Sequence, residues 1–252
     1  MAELNIISLT KTYPSGVTAV DNLSLTVNAG ESVALFGLER SGKSTLLRMI
    51  AGLEPVTSGQ IVLDGKDITD LSVKDRNLAY VFQNTTLDNN KTVYENLAYG
   101  LKNRKAPAAV IDVKVKAVAE ILNLSQVLNR KPKTLTALER RRILLGRTVV
   151  RDPKVYLFDE ALSGLNDELR LQILKDITKL QIALGCTFVY ATENIAEAVT
   201  VASRVAILSQ GKLLQIDTPE NLYHAPVNGF VAEIMGTPTQ SPIQSSTQSD
   251  GE

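Results

Sequence analysis

Two short segments carry residue types and spacings suited to phosphate chemistry. The first, GLERSGKST, sets Gly37, Leu38, Glu39, Arg40, Ser41, Gly42, Lys43, Ser44 and Thr45 in the pattern G-x-x-x-x-G-K-[ST]. The glycines let backbone N–H groups close on phosphate oxygens, Lys43 reaches the β- and γ-phosphates, and the Ser44 hydroxyl ligates Mg²⁺. The second, KVYLFDE, ends an apolar run on Asp159 and Glu160. In phosphate-loop enzymes an Asp so placed helps hold Mg²⁺, and a following carboxylate polarises the attacking water. The competing reading makes Asp159 the cap of the next helix, and the loop upstream tips the balance toward metal. Together the segments predict a Mg-ATP site. Glu39 is the odd residue: its charge disfavours a triphosphate unless it turns away or pairs with Arg40.

The flanking residues supply the elements that such a site needs. SVALF before the loop reads as a buried strand, and KSTLLRMIAGL after it reads as a helix whose positive end faces the phosphates. Residues 3–9 and 17–26 favour a small N-terminal sheet. QIVLDGKDI reads as strand, turn, strand, and NLAYVFQN as another buried strand. From about 88 to 150 the texture is helical, with AAVIDVKVKAVAEILNL carrying apolar residues at 3–4 spacing. From 153 strands and helices alternate again, KVYLFDE to RVAILSQGKLLQI, which argues for a parallel α/β sheet. The final Ser/Thr/Gln-rich stretch, 239–252, is expected to be a flexible tail.

Composition narrows the function classes. The chain has 252 residues, 44% of them apolar, enough for a substantial core. Lys+Arg and Asp+Glu both number 27, so no global charge favours nucleic acid. Cys186 is the single cysteine, so no intrachain disulfide can form. The first residues lack the pattern of a signal peptide, and no apolar run approaches the ~20 residues of a membrane span. A reducing compartment fits, and any membrane role must come through a partner.

The order of these features, from about residue 4 to 238, resembles the ATP-binding subunits of ATP-binding-cassette (ABC) transporters, especially importers of sugars and glycerol phosphates. The resemblance implies an α/β P-loop NTPase fold: a RecA-like parallel sheet core, an N-terminal antiparallel β subdomain and an inserted α-helical subdomain at about 88–150, all within 1–238. It implies that Tyr13 in KTYPSG stacks on adenine. It implies that Gln83 in YVFQN, with Ser44 and Asp159, serves the metal and, with Glu160, the attacking water. It implies transmembrane permease subunits, a second ATPase subunit, identical or not, and indirectly an extracytoplasmic solute-binding protein as partners, and no nucleic acid. Related sugar importers continue past this point into a regulatory β-barrel domain, so control through such a domain is not expected.

Several positions depart from the family pattern. The signature, usually leucine-serine-glycine-glycine-glutamine, aligns with Leu135, Thr136, Ala137, Leu138 and Glu139. Thr136 keeps a hydroxyl, Leu138 fills space where backbone should approach closely, and Glu139 adds charge near an anion. The plainer reading of ALERRRILLG is a packed surface helix, with Arg140, Arg141 and Arg142 solvated or bridging subdomains. The switch histidine is replaced by Glu193, and the sole histidine, His224, is far along the chain. Asn166 stands for a usual Asp, Ala161 for a usual proline, and LDNNKTV for an aromatic and histidine segment. Losing one well-placed transition-state donor costs ~2.7–4 kcal/mol, so the expectation is retained ATP binding and poor hydrolysis by a homodimer. The alternatives are a non-catalytic nucleotide-binding module that regulates a complete ATPase, and a soluble ATPase of nucleic-acid repair or translation. Neutral charge and the lack of a coiled-coil insertion weigh against the last.

Overall fold

The computed structural model describes residues 2–81 and 86–237; Gln83 and the tail 239–252 lie outside them. Strands β1 (Leu4–Thr12), β2 (Thr18–Val27), β4 (Ser58–Leu63) and β5 (Lys66–Asp67) form one antiparallel sheet, in the order β2-β1-β4-β5. A second sheet has the order β10-β9-β3-β8-β7-β6. Its members are β3 (Ser32–Phe36), β6 (Leu78–Val81), β7 (Val155–Asp159), β8 (Thr187–Thr192), β9 (Arg204–Ser209) and β10 (Lys212–Asp217). Strands β3, β6, β7, β8 and β9 run parallel. The strand alternation did not foretell β10, which returns antiparallel on β9 through a tight turn at Gln210 and Gly211, both at positive φ.

The central strands are apolar along their whole length because both faces of the sheet are covered. All of β3 and β8 is buried. On one face Val33, Leu35, Leu157 and Val189 pack with Leu46, Leu47, Met49 and Ile50 of helix α1 (Lys43–Ala51) and with the antiparallel sheet, so α1 lies between the two sheets. On the other face Tyr156, Phe158, Phe188 and Tyr190 pack against the helical layer. That layer holds α2 (Val93–Asn103), α3 (Ala108–Ile121), α4 (Ala137–Val149) and α5 (Asp167–Leu184). A third cluster joins Ala34, Phe36 and Ile207 to α6 (Ile195–Val201), α7 (Pro219–His224) and α8 (Gly229–Met235).

Within this layer an ion pair of low exposure ties α4 to α5. Arg142 on α4 donates through Nε to Asp176 Oδ2 on α5 at 2.7 Å, and Asp176 is 1% exposed. Of the three consecutive arginines, Arg142 joins α4 to α5, while Arg140 is exposed. Removing one partner of such a pair strands the other charge, whereas replacing both with apolar residues does not. Asp176→Ala should therefore lower unfolding stability by about 3–5 kcal/mol. The double variant Arg142→Met/Asp176→Leu should recover most of it, measured by urea denaturation. Equal losses in both would show that the pair does not hold α4 to α5.

Candidate nucleotide site

The parallel register lines up the ends of three strands. Phe36 pairs with Thr192, and Asp159 pairs with Ala191. The loop after β3, the acidic pair at the end of β7 and the turn after β8 therefore share the C-terminal edge of the sheet, the usual ligand edge of open α/β sheets. Gly37 N–H donates to the Thr192 carbonyl at 3.4 Å, and Glu160 N–H to the Ala191 carbonyl at 3.1 Å, which stitches the three segments together.

Both loop glycines are needed sterically. A Cβ on Gly37 would lie 2.4 Å from Ser41 Oγ and 2.7 Å from the Leu208 carbonyl oxygen. Gly42 has φ +100°, and a Cβ there would lie 2.4 Å from the Ala19 carbonyl oxygen. Gly42 also caps α1 with no side-chain hydrogen bond, and the first turn of α1 holds no acidic residue. The first N–H groups of α1 thus point out uncapped, with the positive end of the helix dipole behind them, the arrangement that receives an anion.

Lys43 is 3% exposed. Its Nζ donates to the Gly37 carbonyl at 2.6 Å, the Leu38 carbonyl at 3.0 Å, Ser41 Oγ at 3.3 Å and Glu193 Oε1 at 3.3 Å. Ser44 Oγ donates to Asp159 Oδ1 at 2.8 Å, and Tyr80 Oη donates to Asp159 Oδ2. Asp159 is not a helix cap: α5 begins eight residues later, capped by Asn166, whose Oδ1 accepts from Leu169 N–H. Ser44 and Asp159, the two described residues expected to hold metal, therefore meet across the sheet edge. Mg²⁺ is commonly held through one or two such oxygens together with phosphates, and this donor set fits it. Tyr13 brings its hydroxyl within 3.5 Å of Thr45 Oγ1, at the start of α1, with Lys11 Nζ 5.0 Å from its ring centroid. Glu39 and Arg40 are both exposed.

The acidic side of the site is crowded. Burial raises the Glu160 carboxyl above its usual range; Glu193 adds to that, as do Asp159 and Glu197, while Lys43 opposes them. Glu197 accepts from Thr192 Oγ1 at 2.7 Å and Tyr190 Oη at 3.1 Å, and pairs with Arg170 at 3.2 Å. Sequence reasoning missed Tyr80, Thr192 and Glu197. Tyr80 and Thr192 sit in strands that read as uniformly buried, which hides their polar tips, and burial followed by Asp159 raises the Tyr80 phenol.

The aligned signature lies on a conventional helix start. Thr136 caps α4: its Oγ1 accepts from Glu139 N–H at 3.2 Å, and Glu139 Oε2 accepts from Thr136 N–H at 2.8 Å and from Thr136 Oγ1 at 2.9 Å. This is a reciprocal capping box. Leu138 is half-buried and packs against the helical core.

The demand for glycine in the loop gives a direct check. Gly42→Ala should destabilise the fold by about 1–3 kcal/mol and weaken Mg-nucleotide binding at least tenfold, ~1.4 kcal/mol. Urea denaturation and titration calorimetry measure the two; unchanged values would mean that the loop tolerates a side chain at Gly42.

Comparisons with known proteins agree with this geometry. The sequence model of the family described as ABC transporter matches residues 20–163. The chain is 44% identical over 251 residues to the sn-glycerol-3-phosphate import ATP-binding protein UgpC of Psychromonas ingrahamii, covering 100% of this chain and 67% of that protein. It is 44% identical over 248 residues to the UgpC of Vibrio vulnificus strain YJ016, covering 98% and 66%. The chain thus spans about two thirds of the length of the curated relatives it matches. Among solved structures, cbiO1 of Clostridium perfringens, part of the ABC transporter complex cbiONQ, superposes with a TM-score of 0.80 at 25% identity, covering 88% of this chain and 90% of that one. By this family match and these relatives, the chain belongs to the ABC transporter family of ATP-binding proteins.

Proposed function

We propose that this chain is the ATP-binding subunit of an importer, and that it couples Mg-ATP binding and hydrolysis to passage of a glycerol phosphate or sugar through separate permease subunits. The observation that carries the reading is the Lys43–Ser44–Asp159 assembly under the uncapped start of α1. The named activity of the UgpC relatives supports the solute class. In this reading Ser44 and Asp159 hold Mg²⁺, with Gln83 joining from a position outside the described residues. The loop residues 37–45 and Lys43 bind the phosphates, and Tyr13 lies against the base. Mg²⁺, when bound, neutralises phosphate charge. Glu160, whose carboxyl is pushed up from its usual range by burial and then by Glu193, orients and deprotonates water in this reading.

The partners follow from the same reading. No helix among the described residues is long and apolar enough to cross a membrane, so attachment to the inner face of the membrane would run through the permease. A groove lined by Thr86, Asp88, Lys91, Tyr99 and Arg147, beside α2 and α4, supports docking on the face around residues 86–104. A second ATPase subunit would complete a two-site sandwich, and a solute-binding protein would act on the far side.

A second reading, a nucleotide-binding module that serves a complete ATPase partner, is favoured by one observation. The Glu139 carboxylate already occupies the N-terminus of α4 and engages both the amide and the hydroxyl of Thr136. That end would otherwise offer its N–H groups and dipole to the partner's nucleotide.

Calorimetry should find Mg-ATP binding in the micromolar to millimolar range, about −8 to −4 kcal/mol, with most of it lost in Lys43→Ala; a folded chain that binds no nucleotide would contradict the proposal. The purified chain alone should turn over ATP slowly. Thr136→Ser, Ala137→Gly, Leu138→Gly and Glu139→Gln combined with Glu193→His should raise the steady-state rate more than tenfold, ~1.4 kcal/mol of barrier. Turnover of several per second by the unmodified chain without a partner would show that its own signature works.

A further inference from the structure

We propose that Glu193 is a specificity-determining residue that makes this subunit favour nucleoside diphosphate over triphosphate, because its carboxylate is already held on the loop lysine where a terminal phosphate would compete. The inference rests on the nucleotide-binding reading above. Glu193 Oε1 is 3.3 Å from Lys43 Nζ, and Lys43 is the cation that pairs with it among the described residues. The side chain arrives from the end of β8, next to the Glu160 strand end, and not from the glycine loop. The loop amides and the start of α1 belong to the phosphates that they wrap. The strand-end side, with Asp159 and Glu160, is where the metal and attacking groups of phosphate-loop enzymes act on the terminal phosphate.

The turn that carries Glu193 is fixed on both sides. Asn194 N–H donates to Thr192 Oγ1 at 3.0 Å, and Asn194 Oδ1 accepts from Glu197 N–H at 3.2 Å as the cap of α6. The carboxylate is therefore delivered to Lys43 by a constrained backbone, although its side chain is 42% exposed and free to be replaced without loss of packing.

Charge in the cleft lined by Glu160, Ser163, Thr192, Glu193 and Glu197 is unfavourable to a further anion. The nearby cation Arg170 is committed to Asp167 at 2.7 Å, to the Leu165 carbonyl at 2.9 Å and to Glu197. Thr192 and Tyr190 spend their hydroxyl protons on Glu197. A diphosphate can share Lys43 with Glu193. A third phosphate must either expel the carboxylate from Lys43 or accept a like charge beside it, and like charges at this range in a partly buried site repel strongly.

The test is titration calorimetry of the purified full chain with Mg-ADP and Mg-ATP, on the natural sequence, Glu193→Gln and Glu193→Ala, with thermal melts to confirm folding. The natural chain should bind ADP at least tenfold tighter than ATP. Both variants should gain at least fivefold for ATP while ADP changes less than twofold. A natural chain that binds ATP as tightly as ADP, or variants that shift both nucleotides alike, would overturn the inference and leave the nucleotide site standing. Binding of neither nucleotide by the folded chain would overturn the nucleotide reading and this inference with it.

Discussion

A buried ammonium must have its charge answered, and the geometry of this site follows from how Lys43 is answered. With 3% exposure, Lys43 cannot rely on water. Its partners are two loop carbonyls, the Ser41 hydroxyl and the Glu193 carboxylate. The carbonyls belong to the loop itself, in which Gly37 and Gly42 leave no room for a Cβ. The carboxylate binds the loop to the end of β8, two strands of the same sheet that are far apart in sequence. The same edge then presents Ser44 to Asp159.

Two helix starts in this chain show opposite solutions to the same problem of unpaired N–H groups. Helix α1 begins at Gly42 with no side-chain cap and no acid in its first turn, which leaves its positive end available. Helix α4 begins at Thr136 with a complete capping box, in which Glu139 supplies the negative charge itself. The first suits an anionic ligand and the second has already spent that capacity on its own side chain. Glu193 follows the same theme, a protein carboxylate already set on the loop lysine.

The fold was legible where burial makes sequence monotonous. VYLF and TFVYAT read as strands because sheets covered on both faces need apolar residues throughout, and they became β7 and β8. The loop pattern was legible because only glycine fits its two tight positions. Tertiary polar contacts were not. The Lys43–Glu193 pair spans 150 positions, and no local pattern announces it. Tyr80 on Asp159 and Tyr190 on Glu197 were concealed in strands whose aromatic residues read simply as core. The capping box at Thr136 and Glu139 had a readable local signature, Thr-x-x-Glu, yet comparison with the family signature drew attention to what those residues lack. The antiparallel return of β10 was hidden because a strand's direction depends on its connection, here a two-residue turn.

In the proposed reading the phosphates of the nucleotide are held at the shared C-terminal edge of β3, β7 and β8. Amide hydrogen exchange, followed by mass spectrometry with and without saturating Mg-ADP, measures that location directly. The account predicts slowed exchange in residues 37–45, with smaller protection at 159–160 and 192–194, and little change in the antiparallel sheet or at residues 135–139. Protection centred outside this edge, or an unchanged loop in the presence of bound nucleotide, would contradict it.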